Sequence, residues 1–232
     1  MHPFYTIRYP PSKGSNESQP ILVTDTAIEP LFFCIVYSIE FQCPVQTTES
    51  RTANSRSSSF PFGGRASGGG GKREANELHV CPVENTSKLL GNVTYVSCLD
   101  HNPTLLASLQ TAVDAARAIP IPEDEQKVPL QLCVRLLHKQ TRWLWEESRP
   151  LVEWTFKIVK TRGLSYAAVP EASSGASARN TNVEFVHASG PAQIREVLQF
   201  ILKHSYEAID LNTFSDFKSG ELVFEVFVDQ AR

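Results

Sequence analysis

Two stretches of regular alternation constrain this chain more than anything else in it. In LVEWTFKIVK (151–160), Val152, Trp154, Phe156 and Ile158 fall on one side of an extended chain, with Glu153, Thr155 and Lys157 on the other. LQLCVRLLH (130–138) is its counterpart, with Leu132, Val134 and Leu136 on its apolar side. Two such strands demand a sheet with one covered face. The twelve residues between them, KQTRWLWEESRP (139–150), therefore read as the loop connecting two sheet strands.

Three segments supply helices for that face. TDTAIEPLFFCIVYSIEFQ begins with Thr26 and Glu29 at capping-box spacing, and Pro30 then falls in the first turn. Residues 31–41 are apolar nearly all round, which predicts a buried helix over 27–42. In the second segment Asn102 caps, Pro103 enters, and Leu105, Leu106, Leu109, Val113 and Ala116 form one stripe over 103–118. In the third, Ser189 caps and Pro191 enters. Ile194, Val197, Leu198, Ile201 and Leu202 then repeat at helical spacing over 190–206.

Further strands are expected at 4–9, 78–83, 89–98, 164–169, 183–187 and 221–228. The last of these, ELVFEVFV, is apolar on both faces and reads as central in the sheet. The Ser/Gly/Arg-rich tract 46–77 and the tract 170–181 cannot form a core and are expected to be disordered insertions. The expectation is one domain over 1–232, α+β, with three main helices on one mixed or antiparallel sheet.

The bulk properties exclude several functions. Net charge is −3 and the pI is near 6.1, which provides no basic footprint for nucleic acid. PLFFCIVYSIEF is the longest apolar run and falls short of the ~20 residues a bilayer span needs, so no membrane insertion is expected. No apolar segment follows a basic start, so a secretory signal is not read and a soluble, intracellular chain is expected. The five cysteines (34, 43, 81, 98, 133) include no C-x-x-C pair and read as small buried hydrophobes.

Chemistry is not advertised. The glycines before Lys72 fail the phosphate-loop pattern, because Ala66 stands at the first glycine and Arg73 at the magnesium-binding hydroxyl. His79, His138 and His187 have no ligand-spaced His or Cys, and there is no G-x-S-x-G turn. No catalytic residue, cofactor or metal ligand is expected. What remains is RWLW, two of the three tryptophans in a polar setting followed by EESRP. Tryptophans that fold back would cap the core. Tryptophans on a loop that reaches solvent are interface anchors. Trp143, Leu144 and Trp145 are accordingly the candidate partner-binding site.

In order along the chain, TYV (94–96), the helix 103–118, the strand before RWLW, Pro150 and VEWTFKI (152–158) resemble the autophagy-related protein 101 family. IREVLQFILKHSYEAI and VFEVFV fit that family's last helix and strand. The resemblance covers most of the chain outside 46–77 and 170–181. The finger-plus-strand motif is its most specific part. It implies a HORMA-like fold and a non-catalytic scaffold of autophagy initiation. Such a scaffold pairs with the HORMA domain of autophagy-related protein 13 and acts in the cytoplasm at the phagophore assembly site. The family carries an Arg-Trp-Pro-Phe finger that recruits downstream autophagy factors. Trp143 matches its tryptophan, Trp145 takes the place of its phenylalanine, and Leu144 departs from its proline. Trp154, Thr155 and Lys157 match the strand that follows. The other possibility within the fold is a peptide-trapping HORMA adaptor of the spindle-checkpoint or translesion-polymerase type. That type needs a long C-terminal safety belt, and only four residues follow the last expected strand.

Overall fold

The computed structural model describes residues 4–11, 19–43, 82–99, 101–142, 145–162, 188–208 and 221–230. The expected insertions 46–77 and 170–181, the strands 164–169 and 183–187, and residues 78–81 of another lie outside these residues. The elements are β1 (Tyr5–Tyr9), β2 (Ile21–Thr24), α1 (Asp25–Gln42), β3 (Pro82–Ser87), a 3-10 turn (Lys88–Leu90) and β4 (Val93–Cys98). After these come α2 (Pro103–Ala118), β5 (Lys127–Arg142), β6 (Trp145–Thr161), α3 (Pro191–Ala208) and β7 (Glu221–Gln230). The fold is α+β with a mixed sheet.

The alternation of 130–138 and 151–160 sets the centre of that sheet. β5 and β6 pair antiparallel with Leu132 opposite Phe156, Val134 opposite Trp154 and Leu136 opposite Val152. This row is fully buried beneath the helices. Trp154 also spends its indole N–H on the buried Ser205 hydroxyl of α3, at 3.1 Å, so its one polar group is satisfied. On the open face Arg135 bridges Glu153 and Glu225, one on each neighbouring strand, and its guanidinium lies 4.7 Å above the Phe227 ring.

β1 and β2 lie end to end along the far side of β6, both parallel to it. Tyr9 stands opposite Phe156 and Ile21 opposite Ile158. The segment PPSKGSNESQP thus interrupts a single edge line, and ILVT was not foreseen as its second half. β7 was expected to be central. Among the described residues it pairs with β5 alone. Its two apolar faces have a different cause. α2 lies along its outer edge, and the Ser108 hydroxyl takes the place of a neighbouring strand: it accepts from the Val226 N–H at 2.6 Å and donates to the Val226 carbonyl at 2.9 Å. β3 and β4, expected in the same sheet, form a separate two-stranded ladder that packs against α1.

The helices fall where periodicity put them, with local differences. α1 begins at Asp25, so the Thr26–Glu29 capping box is not used and Pro30 sits in the second turn rather than the first. The Glu29 carboxylate instead meets Arg117 of α2 at 2.7 Å. Asn102 does cap α2, accepting from the Thr104 and Leu105 N–H groups. Leu106 and Leu202, assigned to apolar stripes, are exposed at 37% and 56% because the stripes they flank are already filled. The Ser189 hydroxyl, read as a cap, accepts instead from the Leu22 N–H at 2.7 Å and ties the start of α3 to β2. Lys160 supplies the cap that α2 lacks at its C-terminus. Its buried ammonium donates to the carbonyls of Ala116, Arg117 and Ile119 and meets Asp25 at 2.8 Å.

Candidate functional site

The tryptophan segment is a strand pair, not a loop. β5 and β6 continue through it, with Leu137 opposite Pro150, His138 opposite Arg149, Lys139 opposite Ser148 and Gln140 opposite Glu147. Thr141 then faces Glu146, and Arg142 faces Trp145. Only Trp143 and Leu144 stand between the two strands, and they lie outside the described residues. Trp145 opens β6 opposite Arg142. Polar residues hid these strands, since 138–149 show no regular alternation of apolar with polar.

A bulge interrupts the ladder between Leu136 and Leu137, and β7 stays paired with β5 for three residues past it. Val152 faces Leu136 and Pro150 faces Leu137, which leaves Leu151 without a cross-strand partner. A bulge of this kind bends the ribbon and strengthens its local twist. Among the described residues the flanking strands end close by. β7 reaches Lys139 through Glu221, and β1 starts at Val152 through Tyr5. Among the described residues, the three pairs Gln140–Glu147, Thr141–Glu146 and Arg142–Trp145 therefore have no strand on either side. Three residues of strand amount to about 10 Å of ladder with no described strand beside it. Glu147, Ser148 and Pro150 are exposed on the way.

Elsewhere among the described residues, several titratable groups are shifted by burial. Burial pushes the Cys34 thiol up to about 12, and burial with the nearby Glu40 charge pushes Cys98 up to about 11. Thiols held so high stay protonated and are poor nucleophiles. Burial also raises Tyr37 to about 12, with the Glu40 charge adding to it. Glu40 itself is buried, but both its oxygens are committed. One meets His101 Nδ1 at 2.7 Å and the other accepts from the Asn102 N–H at 3.3 Å. His101 in turn stacks on Tyr37 at 3.9 Å. This cluster, which the sequence did not reveal, fastens the end of α1 to the start of α2.

A shallow depression of about 380 Å³ beside Ser108, Thr111 and Phe227 contains one cation, Arg135, already held by two carboxylates. Among the described residues, no three His, Cys, Asp or Glu side chains are placed to hold a metal ion. No helix among them is long and apolar enough to cross a membrane.

No protein-family model matches the sequence, and no curated protein matches it.

Proposed function

We propose that this chain is a non-catalytic scaffold of autophagy initiation, HORMA-like in fold, that pairs with the HORMA domain of autophagy-related protein 13. It recruits downstream factors through Trp143, Leu144 and Trp145. One observation carries the reading. The segment that resembles the family's finger falls, in the sequence, between two strands that outrun both flanking strands among the described residues. A tryptophan needed for the core would be better placed on the helix-covered row with Trp154. Cysteine thiols held protonated, and a buried carboxylate with both oxygens engaged, favour a binding role over catalysis.

The test is a pull-down with two baits: the HORMA domain of autophagy-related protein 13, and the downstream complex of the autophagy-initiation machinery. The W143A/W145A variant should retain the first and lose the second. Anchoring aromatics of this kind are worth about 2 kcal/mol or more each at an interface, enough to abolish capture. Loss of the HORMA partner as well, or full retention of the downstream complex, would contradict the assignment.

A further inference from the structure

Three residues cannot hold a partner by themselves. A specific interface takes about 800 Å² and about 20 to 30 residues from each side, a patch roughly 30 Å across. A protein that takes Trp143, Leu144 and Trp145 must therefore also cover surface at the foot of the β5–β6 extension. From Trp145 to Val152 the strand runs about 23 Å, so that foot falls inside such a patch. Among the described strands, two flanks adjoin it: β1 beyond β6, and β7 beyond β5.

The two flanks differ in what they show to solvent. β1 runs parallel to β6, with Tyr5 opposite Val152 and Phe4 preceding it in the direction of Trp145. Phe4 is 50% exposed and Tyr5 42%, and no other aromatic side chain among the described residues is as exposed. Further along the strand Ile7 packs against the core, and Tyr9 is buried edge-on against Phe200 of α3 at 5.2 Å. The strand is anchored through Ile7 and Tyr9, while the aromatic residues at its head are left half in solvent. On β7, from Leu222 to Phe227, only Glu225 is exposed. Its carboxylate meets Arg135, whose guanidinium also lies over the Phe227 ring. One flank thus offers a charge already paired, the other an aromatic pair. The centre of an interface favours aromatic residues and is depleted of charge.

We infer that the partner taken by the tryptophan segment approaches from the β1 side, with Phe4 and Tyr5 as its second point of attachment. The inference rests on the function proposed above and adds the direction of approach to it. An apolar recess on the partner is the surface that fits, since two aromatic rings half in water gain most from being covered. Thr6 and Arg8, exposed further along the strand, lie at the polar rim of that contact.

The test titrates the full chain against the downstream complex, immobilised as the bait of the pull-down above. F4A/Y5A should weaken capture about tenfold or more and leave capture of the autophagy-related protein 13 HORMA domain unchanged. E225Q, on the β7 flank, should bind the downstream complex as the wild type does. If F4A/Y5A melts early, F4A alone takes its place and should still weaken capture severalfold. W143A/W145A runs beside them and separates the two claims. Where it loses the complex but F4A/Y5A binds like the wild type, the β1 approach is overturned and the finger stands. A folded F4A/Y5A that loses both baits, or an E225Q weaker than F4A/Y5A, overturns the approach as well. Where W143A/W145A keeps the complex, the finger reading falls and the inference falls with it.

Discussion

β5 and β6 are one antiparallel ladder with two kinds of environment. In its inner part, 130–136 against 152–158, every second residue is buried under helices and flanked by β1, β2 or β7. Beyond the bulge at Leu136 and Leu137 the same two strands run on with mostly polar residues, and past Lys139 no described strand lies beside them. The third tryptophan, Trp154, belongs to the first environment, fully buried and hydrogen-bonded to Ser205. Trp143 and Trp145 come at the far end of the same two strands in the sequence. One residue type at two places along one hairpin should therefore respond in opposite ways to the same substitution.

The largest effect is expected where the ladder is covered. W154A removes the biggest fully buried side chain of the sheet and leaves the Ser205 hydroxyl without its donor. It should cost about 3–5 kcal/mol in a urea or thermal melt, a large part of an ordinary domain's stability. A loss under about 1 kcal/mol would mean that the helix-covered face is not the core.

The next effect lies at the foot of the same strand. Lys160 donates to three carbonyls at the end of α2, and no other cap serves that end in the described structure. K160M keeps the buried stem but leaves those carbonyls unmet, at a cost of about 2–3 kcal/mol. The ion pair with Asp25 contributes little of this, because Asp25 is largely exposed. An unchanged melt would place the cap elsewhere.

These two predictions differ in how visible their causes were. The inner ladder could be read from sequence because burial of one face forces alternation, and Trp154, Phe156 and Ile158 obey it. The helices were visible for the same reason, through their apolar spacing. The arm was mistaken for a loop because Lys139, Gln140, Glu146 and Glu147 interrupt any alternation of apolar and polar residues. β2 was missed because four residues after a proline-rich break are too short to show one. The contacts of Lys160 with 116–119 and of Glu40 with His101 join residues more than 40 positions apart, and no local pattern records them. The edge role of β7 was hidden for a related reason. α2 covers that edge, so the strand is apolar on both sides although, among the described residues, only β5 pairs with it.

A smaller, graded effect should appear on the covered side at alkaline pH. Cys34 is held at about 12 when folded, against an ordinary value of 9.0 that the unfolded chain should show. The stability it contributes is complete below about pH 9. It is lost as pH rises toward 12, because only the unfolded chain releases the proton. The slope is about 1.4 kcal/mol per pH unit for one group. Tyr37, raised in the same direction, steepens the fall above pH 10. A C34A variant should show a shallower decline than the wild type between pH 9 and 11, and an equal slope would remove Cys34 from the account.

The smallest effect on stability is the most informative. Urea denaturation of W143A/W145A, set beside the wild type, asks directly whether the end of the ladder serves the core or a partner. A projecting arm predicts a midpoint within about 1 kcal/mol of the wild type, as for surface positions generally. Tryptophans folded back into the core predict a loss of about 3–5 kcal/mol for each, and that result would contradict the account.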